Sequence, residues 1–241
     1  MNILIMMAGK NNEFEKDSNM PKFLYEINGI PIIEHVVNQF KDFDKKENNF
    51  IFLIREEDDS KFHMKNTIKL LMPEATIIKV LSETSGAALT SLLAIDFLDE
   101  KKPLLIINGD QLIDINIAHI ISDLNEKNLD AGTVIFNSVH PRWSYIKTNS
   151  YGEIIETAEK NPISNMATAG FYFYRRAKDY LESVKQIIIK DAHVNNIFYV
   201  CTVFNEMILK NKKVGFYKIN ASDYHSFMTY SLYESYKNES I

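Results

Sequence analysis

The run "INGDQLID" (107–114) sets a carboxylate, Asp110, directly after an apolar segment and a glycine. A strand that ends in Gly-Asp presents its carboxylate at a sheet edge, where Mg2+ can bridge it to phosphate oxygens. The competing role for Asp110 is a turn or helix cap. Asp114, in the same run, is a group that could support it. A cation to oppose this carboxylate comes from "NMPKFL" (19–24). There Pro21 restricts the turn and Lys22 supplies a compact charge suited to phosphate, although an isolated Pro-Lys is also what a solvated surface lysine looks like. Only eight glycines occur in the chain, and Gly9, Gly86 and Gly109 each stand where an apolar run gives way to a polar loop. Glycine lets a backbone approach a ligand closely, and it also serves ordinary turns.

The elements that must position these residues alternate. "NILIMMAG" (2–9), "NFIFLIR" (49–55), "ATIIKVL" (75–81) and "PLLIING" (103–109) are continuous apolar runs, the pattern of strands buried on both faces. Between them, 30–40, 61–72 and 85–98 have helical spacing, with Pro31 suited to a first turn and Pro73 ending the second helix. Strands alternating with helices imply a mostly parallel sheet, whose ligands bind outside the carboxyl ends of the strands. Loops 8–22, 82–88 and 109–114 leave such ends. The rhythm then changes: 131–137, 143–148, 152–160 and 167–176 read as strands, with a hairpin turn at Asn149–Gly152. Helical patterns return at 177–190 and 198–211, followed by a strand-like 213–219 and a Tyr-rich end. The expected organisation is one α/β domain over 1–241, Rossmann-like, with a mostly parallel sheet and a mixed, antiparallel-rich second half. Residues 1–130 would form the nucleotide-binding half, 131–220 the acceptor half, and 221–241 a C-terminal helical segment.

Bulk properties narrow the partners. A chain of 241 residues with a net charge of −5 lacks the basic excess of a nucleic-acid-binding face, while a phosphate-bearing small ligand needs only a few local cations. A single cysteine, Cys201, excludes an internal disulfide and fits a reducing, cytoplasmic setting. No secretory signal is expected, and the apolar runs fall short of the ~20 residues that span a bilayer. Trp143 and the Phe and Tyr clusters read as packing, Cys201 as buried and inert, His35 as lacking a partner at ligand spacing, and His140 as a loop residue with the sugar side of the cleft as the alternative.

The combination resembles the sugar-phosphate nucleotidyltransferases, or NDP-sugar pyrophosphorylases. It is carried by Ala8-Gly9, "PKFLYEINGIPIIEHVV" (21–37), "TSGAALTSLLA" (84–94), "PLLIINGDQ" (103–111), "EK" (159–160) and "AGFYFY" (169–174). "HPRWSY" (140–145) and "VNNIFYV" (194–200) are similar to a capsule- and surface-glycan-associated subgroup. The resemblance implies a GT-A-like fold and transfer of NMP from an NTP to a phosphorylated sugar or related ester. It implies an NTP and a phosphorylated small molecule as partners, Mg2+ as cofactor, and leaves homo-oligomerisation open. By the same resemblance, Lys22 would hold the triphosphate and Asp110 the Mg2+. Ala8, Gly9, Lys10, Ser85, Gly86, Asn108 and Gly109 would line the nucleotide. Lys160 would meet the acceptor phosphate, with Glu159 and Gly170 on the sugar; the residues alone also allow Lys160 to be an exposed hairpin lysine.

Two departures stand out. Where the family has Gly-x-Gly-Ser/Thr-Arg, this chain has Asn11 in place of the second glycine and Glu13 in place of the arginine. A carboxylate there repels a triphosphate and removes a guanidinium fork; Lys10 and Lys16 are the nearest cations. In "YHSFMTYSLYESY" (224–236), Ser226 falls near the position of a second metal-binding aspartate, leaving Asp223 as the nearest carboxylate. These changes keep open a relative that binds without turnover. A glycosyltransferase is a further alternative, although its Asp-x-Asp signature is here Asp110-Gln111-Leu112.

Overall fold

In the computed structural model, residues 1–10, 14 and 20–239 are described. The expectations for Asn11, Glu13 and Lys16 lie outside the described residues. Strands β1 (Asn2–Met7), β2 (Glu26–Ile27) and β3 (Ile30–Pro31) precede helix α1 (Ile32–Asn38). Strand β4 (Asn49–Arg55) leads into α2 (Glu56–Phe62) and α3 (Met64–Leu71), then β5 (Thr76–Val80), α4 (Ala87–Ser91), a 3-10 turn and β6 (Leu104–Asn108). Next come β7 (Gln111–Ile113), α5 (Ile117–Glu126), β8 (Ala131–Asn137), β9 (Ser144–Thr148), β10 (Ile154–Glu159) and β11 (Met166–Tyr174). The chain closes with α6 (Ala177–Ile189), α7 (Val203–Leu209), β12 (Val214–Lys218), β13 (Tyr224–Ser226) and α8 (Tyr230–Glu239).

Among the described residues, one nine-stranded sheet runs through both halves in the order β10-β9-β11-β6-β1-β4-β5, with β8 on β11 and β12 on β8. Strands β6, β1, β4 and β5 are parallel, and β11 joins β6 antiparallel. The apolar runs cover both faces because successive side chains point to opposite sides. Ile3, Ile5 and Met7 enter one core cluster together with Phe50, Phe52 and Ile107. Leu4, Ile51, Leu53 and Ile106 enter the other.

The helices depart from the periodicity reading at points with local causes. Residues 61–72 do not form one helix, because His63 adopts φ +55°, a left-handed conformation that ends α2 and starts α3. The 85–98 segment narrows to α4 and a 3-10 turn. The helix expected over 198–211 starts only at Val203. Before it, Asn195 and Asn196 have φ +52° and +61°, a tight turn that pairs Val194 with Ile197. Between Asp114 and Ala131, a stretch to which the sequence reading assigns no element, α5 forms with Asn116 as its N-cap, its side chain accepting from Ala118 N–H at 2.8 Å. No helix among the described residues is long and apolar enough to cross a membrane.

Candidate functional site

The parallel strands end on one rim, and a cleft of about 780 Å³ opens there. Met6, Ala8, Gly9 and Lys10 line it from β1, Arg55 and Glu57 from β4, Val80 to Thr84 from β5, and Asn108 and Asp110 from β6. A volume of this order accommodates a nucleotide-sized ligand.

Lys22 and Asp110, 88 residues apart, meet in this cleft with Nζ to Oδ2 at 2.5 Å. Pro21 holds extended backbone at φ −64°, and a short 3-10 turn over Lys22–Leu24 follows, so the lysine leaves a rigid corner. Its side chain is only 6% exposed, whereas that of Asp110 is 19% exposed and open to the cleft. The pair joins the two loops on which the sequence argument relied.

The glycines divide by role. Gly86, at φ +114° and ψ 166°, passes so close to residues 197–198 that an added Cβ would lie 2.7 Å from Phe198 N and 2.8 Å from Ile197 Cγ2. Thr84 and Thr90 hydroxyls both donate to its carbonyl, at 3.3 and 3.1 Å. Gly9 borders the cleft, with no described residue within 4 Å of its missing Cβ. Gly109 and Ser85 do not line the cleft. Gly109 packs on β1, donating to Met6 O at 2.9 Å, and Ser85 accepts from Phe198 N–H at 2.8 Å.

Beyond Asp110 the chain is held by Gln111, a residue the sequence reading passes over. Its amide donates to Gly170 O and accepts from Gly170 N–H, both at 3.0 Å. This occurs where the register of β11 shifts between Thr168 and Tyr172, so one side-chain amide substitutes for a neighbouring strand. Gly170 is required because a Cβ would run into the Asn108 and Gln111 side chains. Tyr224 donates to the same Gln111 oxygen at 3.0 Å. Burial, reinforced by the Asp110 charge, raises its phenol well above the usual range.

Asp223 is not brought to Asp110. Strand β13 pairs with β7 so that Ser226 lies across from Gln111, and Phe227 N–H donates to Asp110 O at 2.7 Å. Asp223, at the other end of β13, uses its carboxylate to accept from Asn220 N–H at 2.9 Å and Asn220 Nδ2 at 3.0 Å. Asp114 likewise turns to His225 Nε2, at 2.8 Å. Among the described residues, no three His, Cys, Asp or Glu side chains converge as a metal site. Asp110 alone fits a different arrangement, since Mg2+ keeps several waters and takes its other oxygens from substrate phosphates.

On the second half, Glu159 is buried and accepts from the Ser144 hydroxyl. Burial raises its carboxyl above the ordinary 4.5, opposed by the Ser144 hydrogen bond and the Lys160 charge. The charged form is therefore penalised in the fold, a cost absent below 4.5 that grows as pH rises through the raised value. Glu159→Gln should melt a few degrees above wild type at neutral pH and lose that advantage in acid, as read by thermal denaturation across pH. Lys160 is exposed, at φ +52°, with Nζ 5.6 Å from the Tyr199 ring centre. Cys201 is fully buried, and burial followed by the nearby Glu159 charge pushes its thiol up to about 12.

Arg55 and Glu57 are cleft residues the sequence reading missed. They are ion-paired to each other, and Arg55 also meets Asp58 at 3.5 Å. The signal was present: Arg55 ends the apolar run "NFIFLIR" on the same rim as the three loops.

With this geometry in view, the sequence pattern described as "Nucleotidyl transferase" matches residues 17–214. The bifunctional protein GlmU of Methanococcus aeolicus is 29% identical over 190 residues, 77% of this chain, which spans only 43% of that protein's length. The UTP–glucose-1-phosphate uridylyltransferase AglF of Haloferax volcanii is 26% identical over 73% of each chain. The crystal structure of a nucleoside-diphosphate-sugar pyrophosphorylase from Vibrio cholerae superposes with a TM-score of 0.87 at 25% identity, covering 98% of this chain and 99% of that one.

Proposed function

Because the chain belongs to the nucleotidyl transferase family, we propose that it transfers a nucleoside monophosphate from an NTP to a phosphorylated sugar or related small phosphate ester. An acceptor phosphate oxygen attacks the α-phosphorus, the bond to the bridging oxygen breaks, and pyrophosphate leaves. Such in-line displacement needs alignment and charge compensation more than covalent chemistry. The observation that carries the reading is the Lys22–Asp110 pair inside a nucleotide-sized cleft at the carboxyl ends of parallel strands.

In this reading Asp110 would hold an Mg2+ bound together with the nucleotide, and Lys22 would pair with a phosphate oxygen. The ion supplies charge neutralisation on the phosphates. Ala8, Gly9, Lys10, Gly86 and Asn108 surround the nucleotide in the cleft, while Ser85 and Gly109 hold its walls. Glu159, Lys160 and Gly170 stand on the acceptor side. A cytoplasmic setting and a product destined for surface glycan belong to the same reading.

A second reading, binding without turnover, is favoured by one observation: Ser226, and not a carboxylate, lies across from Gln111. Pyrophosphate release across the four NTPs, each with Mg2+ and a panel of sugar phosphates, separates the two. The expected result is release with at least one NTP–acceptor pair, together with a raised melting point in that NTP and Mg2+, since a ligand that binds only the folded form stabilises it. A thermal shift with no release anywhere in the panel would favour the second reading.

A further inference from the structure

Three consecutive residues of the segment before α7 touch the nucleotide cleft and the acceptor side in turn. Ile197 lines the cleft. Phe198 is clasped by the Gly86 loop: its N–H donates to Ser85 O at 2.8 Å and its carbonyl accepts from Ala88 N–H at 3.1 Å. Tyr199 then places its ring 5.6 Å from Lys160 Nζ. The tight turn at Asn195–Asn196 and the backbone pairing of Val194 with Ile197, at 3.0 Å in both directions, set the direction in which the segment leaves. Tyr199 is therefore presented from a braced backbone, although it lies in a loop.

Lys160 needs such a partner. It follows directly on β10, holds a left-handed φ of +52° that a lysine adopts only at a cost, and is tied by its N–H to Trp143 O at 3.0 Å. The strained backbone aims an exposed, flexible side chain that would otherwise sample many rotamers and lose that freedom on binding.

We infer that Tyr199 is a positioning residue for Lys160: its ring holds the ammonium where an anionic acceptor binds, in register with the nucleotide loop that clasps Phe198. The inference rests on the nucleotidyltransferase reading for the identity of the acceptor, a phosphate ester. It predicts that the aromatic face, not the hydroxyl, is what matters.

The test compares Tyr199→Leu, which keeps apolar bulk without a π face, with Tyr199→Phe, which keeps the face. Tyr199→Leu should raise the acceptor KM about two- to fivefold, the factor expected of a cation–π contact at an exposed site, with the NTP KM unchanged. Tyr199→Phe should restore the wild-type value. In parallel, lysines are 13C-dimethylated, which preserves their charge, and the Lys160 signal is assigned by its loss in Lys160→Arg. That signal should lie upfield through the ring current of Tyr199 in wild type and Tyr199→Phe, and move to the position of solvated lysines in Tyr199→Leu. A Lys160 signal already at the solvated position in wild type, or an acceptor KM unmoved by Tyr199→Leu, overturns the inference. Absence of pyrophosphate release from the wild-type protein counts against the transferase reading instead, and the ring-current result then decides the positioning role alone.

Discussion

Asp110→Asn is expected to lower turnover by about a thousandfold, the scale of losing a preorganised charge at a phosphoryl-transfer centre. The substitution keeps the size of the side chain and an oxygen that can accept from Lys22, so the loops that the pair joins should remain joined. Lys22 is the more buried partner, at 6% side-chain exposure, and facing a neutral amide there should cost about 1–2 kcal/mol of stability. Pyrophosphate release at saturating Mg2+ and NTP measures the first effect and thermal denaturation the second. Lys22→Met added to Asp110→Asn should lower turnover little further, because two groups that act as a unit are not additive. Turnover within a few-fold of wild type for Asp110→Asn would remove that residue from the ion-binding role.

Gly86→Ala is expected to be the most damaging single methyl group in the cleft. At φ +114° and ψ 166° the backbone occupies a region open essentially to glycine alone. The new Cβ would also meet Phe198 backbone and the Ile197 side chain inside van der Waals contact. Strain and overpacking together should cost about 3 kcal/mol, or about 6–12 °C in melting temperature for a chain of this size. Two controls isolate the causes. Gly152→Ala has the positive φ, +79°, but open space around the Cβ, and should cost only the strain. Gly9→Ala has no positive φ and meets no described residue within 4 Å, and should leave stability unchanged while narrowing the cleft. A melting temperature for Gly86→Ala equal to that of Gly152→Ala would show that the 197–198 segment moves aside freely and only the backbone strain remains.

Much of the architecture was legible because it rests on short-range periodicity. Apolar side chains on both faces of β1, β4 and β6 require layers on both sides of a parallel sheet, and these runs enter separate core clusters as the pleat demands. The convergence of Lys22 and Asp110 followed from one further rule, that loops at the carboxyl ends of parallel strands share a rim. The same rule applied to β4 would have found Arg55. The α2–α3 break was not legible, because a non-glycine residue adopts the left-handed conformation only uncommonly, so a histidine such as His63 does not mark a helix end in the sequence.

The sequence by itself determined the alternation of elements, the rim on which ligands are expected, and the two charges proposed for phosphate chemistry. Only the tertiary structure decided what lies behind those charges. Gln111 completes a strand edge at Gly170, 59 residues away, and the β13–β7 register leaves Asp223 as a cap while Ser226 lies across from Gln111. The physical reason is range. Periodicity records which face of a single element avoids water, whereas hydrogen bonds that close an irregular edge depend on the register of segments far apart in the chain, which no local pattern encodes.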